Sequence, residues 1–367
     1  MLESFLVKIK EHRRKQGQRY QLGHILLFSI VASLCDAHSY RKIYTFIKVQ
    51  YPLLNNSYQL NWKKCPAYTT IRNIIQGVSG DELNKAFREY SAALADLNPQ
   101  PKRYVAFDGK VLRGSFDHFQ DQKAIQIFSA FLTDSNIIIA HEPIADKTNE
   151  IPTAQQLIDA LGLSNYIFTF DAMHCQKKTL ETAVNTGNDV IVQVKENQKM
   201  LFNDCLNISA YNRPVEIYDE PLDKNRNRIE QRTIQVFEST AIGDKDKWQL
   251  VKSVIKVERN RKIFDTKSKF WKNSDETSFY IATASLSAKT CGDAIRLHWG
   301  IENKNHYVRD VSMGEDKSRI RVNPHIFSML RSFALNIMRI NAKKNIQLEL
   351  FNNCVNLTNV LKYVGIK

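Results

Sequence analysis

The chain has 367 residues, 43% of them hydrophobic, enough for two or three domains with real cores. Lysine and arginine number 52 against 38 aspartate and glutamate, a formal charge of +14 that points to a polyanionic partner such as nucleic acid. The six cysteines form no C-x-x-C pair, which argues for reduced thiols in a cytoplasmic compartment rather than a zinc ribbon or a disulfide framework, and the longest apolar run (25–35) is too short to cross a bilayer.

Residues 1–98 read as a helical N-terminal domain. Dense apolar residues from Leu22 to Tyr51 lack the alternation of a strand, and a break is expected at Pro52 and the Asn/Ser cluster 55–57. In 65–97, Pro66 and Thr69 mark a helix start and Gly77 to Gly80 a turn. This helix–turn–helix pattern would present Thr69, Thr70, Arg72 and Asn73 to DNA, although an ordinary helical hairpin shares it. NPQPKR (98–103) reads as a linker. Residues 99–198 change character. The runs 104–110, 124–134 and 136–145 are β-rich. Then 151–163 is a helix opening on a proline, 166–170 a strand, 175–187 a helix closed by glycine, and 189–198 a strand. The order βββαβαβ predicts an antiparallel meander followed by parallel crossovers. Residues 199–286 read as a β-rich insertion, with strand-like runs at 214–221, 228–239, 248–262 and 277–285. Residues 287–367 return to helix, and 324–340 is apolar nearly all round, as a buried helix is.

Asp108 and Asp171 each close an apolar, strand-like run. Carboxylates buried at such tips need partners, and strand tips at the carboxyl edge of an α/β sheet gather in one place. Joined by a helical Glu302, they suit magnesium or manganese, cations able to clamp an attacking and a leaving oxygen. Asp108-Gly109 is equally a hairpin signal. His298, Glu302, His306 and Arg309 would share one face of an α-helix. That face suits a metal-directed carboxylate with basic neighbours toward phosphate, a zinc site through His298 and His306, or plain solvent. Glu315 and Asp316 are rival acids, and local pattern does not choose between them and Glu302.

The ordered segments FDGKVLRGS (107–115), DKTNEIP (146–152), FDAMHCQKK (170–178), VKENQ (194–198), RIEQR (228–232) and RLHWGIENKNHYVRDVSMGEDKSRIR (296–321) resemble the DDE transposases of bacterial insertion sequences over nearly the whole chain. The closest group is the H-repeat-associated (ISAs-type) family. This resemblance implies an α/β, RNase H-like (retroviral-integrase-type) catalytic core, split into 99–198 and 287–367 by the β-rich insertion and preceded by the helical domain. It implies metal-dependent DNA strand cleavage and strand transfer, with Asp108, Asp171 and Glu302 as the catalytic, metal-holding acids and Mg²⁺ or Mn²⁺ as cofactor. Terminal repeats and target DNA would be the partners of a homodimer assembled on DNA, in the cytoplasm and associated with the nucleoid. Lys110, Arg113, Lys195, His298, Arg309 and the N-terminal Arg72 are the expected DNA contacts. The chain departs from the related signature Tyr-x2-Arg-x3-Glu-x6-Lys at Ile295, His298 and Arg309. It matches the group's own HW-x-IEN variant through His298, Trp299, Ile301, Glu302 and Asn303, with His306-Tyr307 where HW is usual. A catalytically silent DNA-binding descendant, or a nuclease that cuts without joining, would share these features.

Overall fold

The computed structural model describes residues 1–97, 104–116, 123–144, 150–225, 227–341 and 345–366. The expected linker 98–103 and residues 146–149 of the DKTNEIP segment lie outside them. In chain order the helical N-terminal elements are α1 (Leu2–Leu6), α2 (Leu22–Leu34), α3 (Tyr40–Ser57), α4 (Tyr68–Gln76) and α5 (Gly80–Asp96). Next come β1 (Tyr104–Val111), β2 (Gln126–Leu132), β3 (Ile137–Ile144), α6 (Glu150–Leu161), β4 (Ile167–Phe170), α7 (Lys177–Asn185), β5 (Asp189–Val194) and α8 (Lys199–Tyr211). The remainder is β6 (Glu216–Asp219), β7 (Asp223–Asn225), β8 (Arg228–Glu238), β9 (Ser253–Asp265), β10 (Phe270–Ala282), α9 (Ala288–His298), α10 (Pro324–Asn341), α11 (Ile346–Val355) and α12 (Leu357–Val360). These mixed α/β elements gather into two compact units, one of residues 1–101, 109–150 and 301–367, the other of residues 102–108 and 151–300.

The first unit is built on helices. Every residue of α2 is buried, so this apolar run is a core helix, packed by α10 and α3. α3 does not break at Pro52 but runs on to Ser57. Proline removes one donor, leaving the Lys48 carbonyl without its helical partner; the helix continues because Ile43, Ile47 and Leu54 are buried on one side of it. A short turn joins α4 to α5 where Gly77 to Gly80 was read as one, and Ser79 Oγ accepts the Glu82 N–H (3.4 Å) to cap α5. β2 and β3 pair antiparallel, and α5 and α10 cover them. Buried Asn336 of α10 accepts the Ile138 N–H (2.9 Å) and donates to the Ile138 carbonyl (2.7 Å). A side chain thus satisfies backbone groups of β3 that a neighbouring strand would otherwise take.

The second unit is a sheet in the order β1-β4-β5-β10-β9-β8-β6, with β7 on β8. β1, β4 and β5 are parallel, while β10, β9 and β8 follow antiparallel. β10, β9 and β8 therefore extend the sheet that carries β1, β4 and β5. Small residues of α9 (Ala288, Cys291, Ala294) lie on one sheet face against Ile191, Ile234, Val236, Ile255 and Val257. α8 packs on the other face, where Phe202 meets Phe279 edge-on at 5.7 Å. α8 occupies the start of the segment read as β-rich. Its buried Leu201, Cys205 and Ile208 recur at helical spacing, which outweighs the surrounding strand signals. No described helix is long and apolar enough to cross a membrane.

Candidate functional site

β1 continues through Asp108 to Val111, so Asp108 neither ends the strand nor opens a hairpin turn. Parallel pairing aligns Tyr104, Val105 and Ala106 with Ile167, Phe168 and Thr169. Continued by two residues past the last pair, this register would set Asp108 opposite Asp171, the residue directly after β4. Side chains alternate along a strand, so Tyr104, Ala106 and Asp108 share a face, as do Ile167, Thr169 and Asp171. That face is the one α9 covers, because Tyr104 and Ile167 belong to its core.

His298, the last residue of α9, is turned to the sheet. Its Nε2 lies 3.4 Å from Asp171 Oδ1 and its Nδ1 2.9 Å from Thr169 Oγ1, while the Thr169 hydroxyl is 3.4 Å from the Val105 carbonyl of β1. With Nε2–H toward Asp171, a neutral ring accepts the threonine proton at Nδ1; a protonated ring donates from both nitrogens and the hydroxyl turns to Val105. The His298 hydrogen bond holds the Asp171 carboxyl below the usual aspartate range, with Lys195 and His174 assisting against partial burial. Asp171 is thus kept ionised, and its side chain is still 58% exposed. A small cavity beside it is lined by Thr169, Asp171, Gln193, Tyr280, His298 and Trp299. Lys195, also expected at the site, is exposed just past β5 and contributes to the field at Asp171.

Glu302 lies in the first unit and is exposed. The stretch expected to continue as α-helix instead runs as π-helical turns, Ile301–His306 and Val308–Ser312. The wider i→i+5 turn shifts the phase of every following side chain. His298, Glu302, His306 and Arg309 therefore do not form one common face: His298 meets Asp171, Glu302 is exposed, and His306 and Arg309 are buried.

The first unit also corrects two of the expected DNA contacts. Lys110 is 8% exposed and pairs with Asp310 and, at 2.9 Å, with Glu315. Arg309 is 1% exposed; it donates to Glu315 (2.7 Å) and Ser328, and its Nη1 lies 3.0 Å from His141 Nε2. Arg331 stands 3.6 Å from the same glutamate. Buried glutamate would resist ionisation, but Arg309, Lys110 and Arg331 outweigh burial and hold Glu315 well below the usual carboxylate range. Burial, with Arg309 adding to it, pushes His141 well below its ordinary range, so its ring is neutral. Lys110 and Arg309 thus neutralise an internal carboxylate and are not available to phosphate. Glu315, a rival third acid by pattern, is a structural anion. Arg113 is exposed and 3.8 Å from Asp316, and Arg72 is exposed on α4 beside exposed Thr69 and Asn73.

Two features lay outside the sequence reading. A Cβ on Gly109 would stand 2.6 Å from Glu150 Oε2, so glycine admits that carboxylate beside β1; the acid within DKTNEIP was its only sequence signal. Among the described residues, no group of three or more His, Cys, Asp or Glu is gathered as a ready metal cluster. The donors that are in register, Asp108 and ionised Asp171, are nonetheless hard oxygen ligands of the kind magnesium and manganese take.

Comparison with known proteins follows this geometry. The family profile "Transposase DDE domain" matches residues 99–337, and "DDE_Tnp_1-associated" matches residues 3–91. The chain is 29% identical to "Putative protein YbfL" of Escherichia coli (strain K12), over 90% of this chain and 88% of that protein. It is 28% identical to "H repeat-associated putative transposase YhhI" of the same strain, over the same shares of each. A cryo-EM structure of a piggyBac transposase synaptic complex with hairpin DNA covers 97% of this chain and 75% of its own, at 11% identity and a TM-score of 0.42. With the profile spanning well over half of the chain and an H repeat-associated relative matched over 90% of it, the chain belongs to the DDE transposase family.

Proposed function

We propose that this transposase cleaves DNA at the ends of a mobile element and joins the freed 3′ ends to target DNA, on an RNase H-like core. The observation that supports the reading is the parallel pairing of β1 with β4, whose register, continued by two residues, would bring Asp108 and Asp171 together on one sheet face, while His298 keeps Asp171 ionised. The parallel order β1-β4-β5, with the β2–β3 hairpin between β1 and β4 in sequence, supports the core assignment.

Asp108 and Asp171 would hold a divalent cation, Mg²⁺ or Mn²⁺, with Glu302 as the third expected ligand; when bound, the cation would stabilise the charge that develops on attacking and leaving oxygens. Asp171 supplies a fixed anion because His298 orients it and Thr169 orients His298. Exposed Lys195 stands close enough to the acid to attract a phosphate. In the first step water attacks the phosphodiester and the 3′ oxygen leaves as a hydroxyl. In the second, that hydroxyl attacks a target phosphodiester and displaces another 3′ oxygen. No covalent bond to protein forms, so positioning carries much of the rate.

The N-terminal hairpin supports a second part of the reading: α4 offers Thr69, Arg72 and Asn73 to DNA ends. The test is incubation of purified protein with duplexes carrying the flanking terminal repeats, with Mg²⁺, Mn²⁺ or a chelator. Strand cleavage that requires the metal and is lost in Asp108→Asn, Asp171→Asn and Glu302→Gln supports it. Metal-independent binding with no cleavage under any condition would leave a DNA-binding descendant instead.

A further inference from the structure

RIEQR (228–232) has no role in the chemistry above. In the sheet, Arg228, Glu230 and Arg232 alternate onto one face of β8. Register places Arg232 opposite Arg259 of β9, with Glu276 of β10 next across, and Glu230 opposite Arg261. Two like charges set directly opposite each other destabilise a strand pair. Here one buried carboxylate, Glu230, holds the set together: Arg232 and Arg259 each reach it at 2.8 Å and Arg228 at 3.7 Å. Glu276 takes Arg259 at 3.6 Å and Arg261 at 3.5 Å. Four guanidiniums therefore share two carboxylates. The Nε atoms of Arg232, Arg259 and Arg261 are buried with no hydrogen-bond partner among the described residues. Arg296 of α9, nearby, is already taken by Glu220 (2.6 Å) and Asp223 (3.1 Å).

Alternation fixes which face this is. The register runs from Ile191 and Gln193 to Ala282 and Tyr280, then to Ile255 and Val236. From Tyr280, even steps along β10 lead to Glu276 and so to the arginine pair. This is the face that carries Asp108 and Asp171, and Tyr280 lines the cavity at Asp171. Successive rungs on one face are about 7 Å apart, so the Arg232–Arg259 rung begins roughly 13 Å from Tyr280.

We infer that Arg228, Arg232, Arg259 and Arg261 form a phosphate track, ordered by Glu230, that holds the backbone of duplex DNA on the part of the insertion's sheet that lies beyond α9. The inference rests on the DNA-processing reading above. Glu230 serves as a spacer that keeps the forks splayed, and the positive excess is what phosphates neutralise. Such contacts hold backbone and position it without reading sequence.

The test uses the full chain and a fluorescein-labelled duplex of arbitrary sequence, with affinity followed by anisotropy across a salt series. Arg228→Gln/Arg261→Gln removes the two most exposed members and leaves Arg232 and Arg259 on Glu230. Each lost phosphate contact lowers the slope of log affinity against log salt by about 0.9, so the double variant should lose about 1.8, and Arg228→Lys/Arg261→Lys should keep it. An unchanged slope in a double variant with wild-type melting overturns the track while the transposase reading stands. Absence of salt-sensitive DNA binding in the wild type overturns both. Should the double variant fail to fold, phenylglyoxal modification of the wild type decides. Saturating duplex should protect Arg228 and Arg261 at least several-fold, and equal modification with and without duplex overturns the proposal.

Discussion

Glu315 is 3% exposed and takes three cations, Arg309, Lys110 and Arg331. Removing one partner from a buried ionic set leaves the others uncompensated, so Glu315→Gln should destabilise the protein by about 3–5 kcal/mol in denaturant unfolding. The sign of its pH dependence follows from its depressed folded-state pKa. The stabilisation is complete above the unfolded glutamate value of about 4.3 and is lost as pH falls through the lower folded value. Wild-type stability should fall on that acid limb, and Glu315→Gln should flatten it. Glu315→Gln is therefore a stability variant and unsuitable as a control for catalysis; partly exposed Asp316 suits that purpose. At the second unit, Asp108→Asn and Asp171→Asn should each reduce cleavage by at least about 100-fold with melting unchanged, as loss of a metal partner predicts. His298→Ala leaves both carboxylates in place but frees Asp171. It should weaken Mn²⁺ binding by about 10–100-fold in calorimetry, whereas an unchanged affinity would remove His298 from the site.

At the scale of elements, α3 shows how packing overrides a local breaker. Proline in a helix interior is about 3 kcal/mol worse than alanine. Pro52 is exposed, so Pro52→Ala alters no buried contact and should raise the melting temperature, by up to about 3 kcal/mol of stability. A lower melting temperature would show that the bend at Pro52 positions the end of α3. The π-helical turns beyond α9 make the opposite point. Helical periodicity predicted one face for His298, Glu302, His306 and Arg309, and a change in turn width redistributed them among Asp171, solvent and the first unit's interior. Arg309, at the signature's lysine position, became an internal counter-ion.

For the whole molecule, the N-terminal helices cannot be treated as a detachable reader of DNA ends. α2 is buried along its full length, and its partner α10 comes from residues 324–341 of the same unit. Deleting residues 1–98 should therefore expose the apolar side of α10 and yield aggregated or molten protein, seen as lost near-ultraviolet dichroism. A cooperative melt in the truncated chain would refute this. End recognition is better tested with Arg72→Ala/Asn73→Ala, which changes only exposed positions of α4 and should reduce preference for terminal repeats without shifting the melting transition.

The linear sequence by itself determined the elements that rest on local signals and short-range periodicity. The two helices joined by the turn at Gly77 to Gly80, the strands around Asp108 and Asp171, and the buried α10 were all legible because turn residues and apolar runs are read within a few positions. Ordered motifs made the transposase family legible too. Tertiary structure decided everything that depends on partners far along the chain. Lys110 and Arg309 read as DNA contacts until Glu315, 205 and 6 residues away, was found between them. RIEQR read as part of a strand until β9 brought Arg259 to the same carboxylate as Arg232. A charge has no intrinsic destination in a sequence: solvent, counter-ion and ligand differ only in which distant groups the fold brings within a few ångströms.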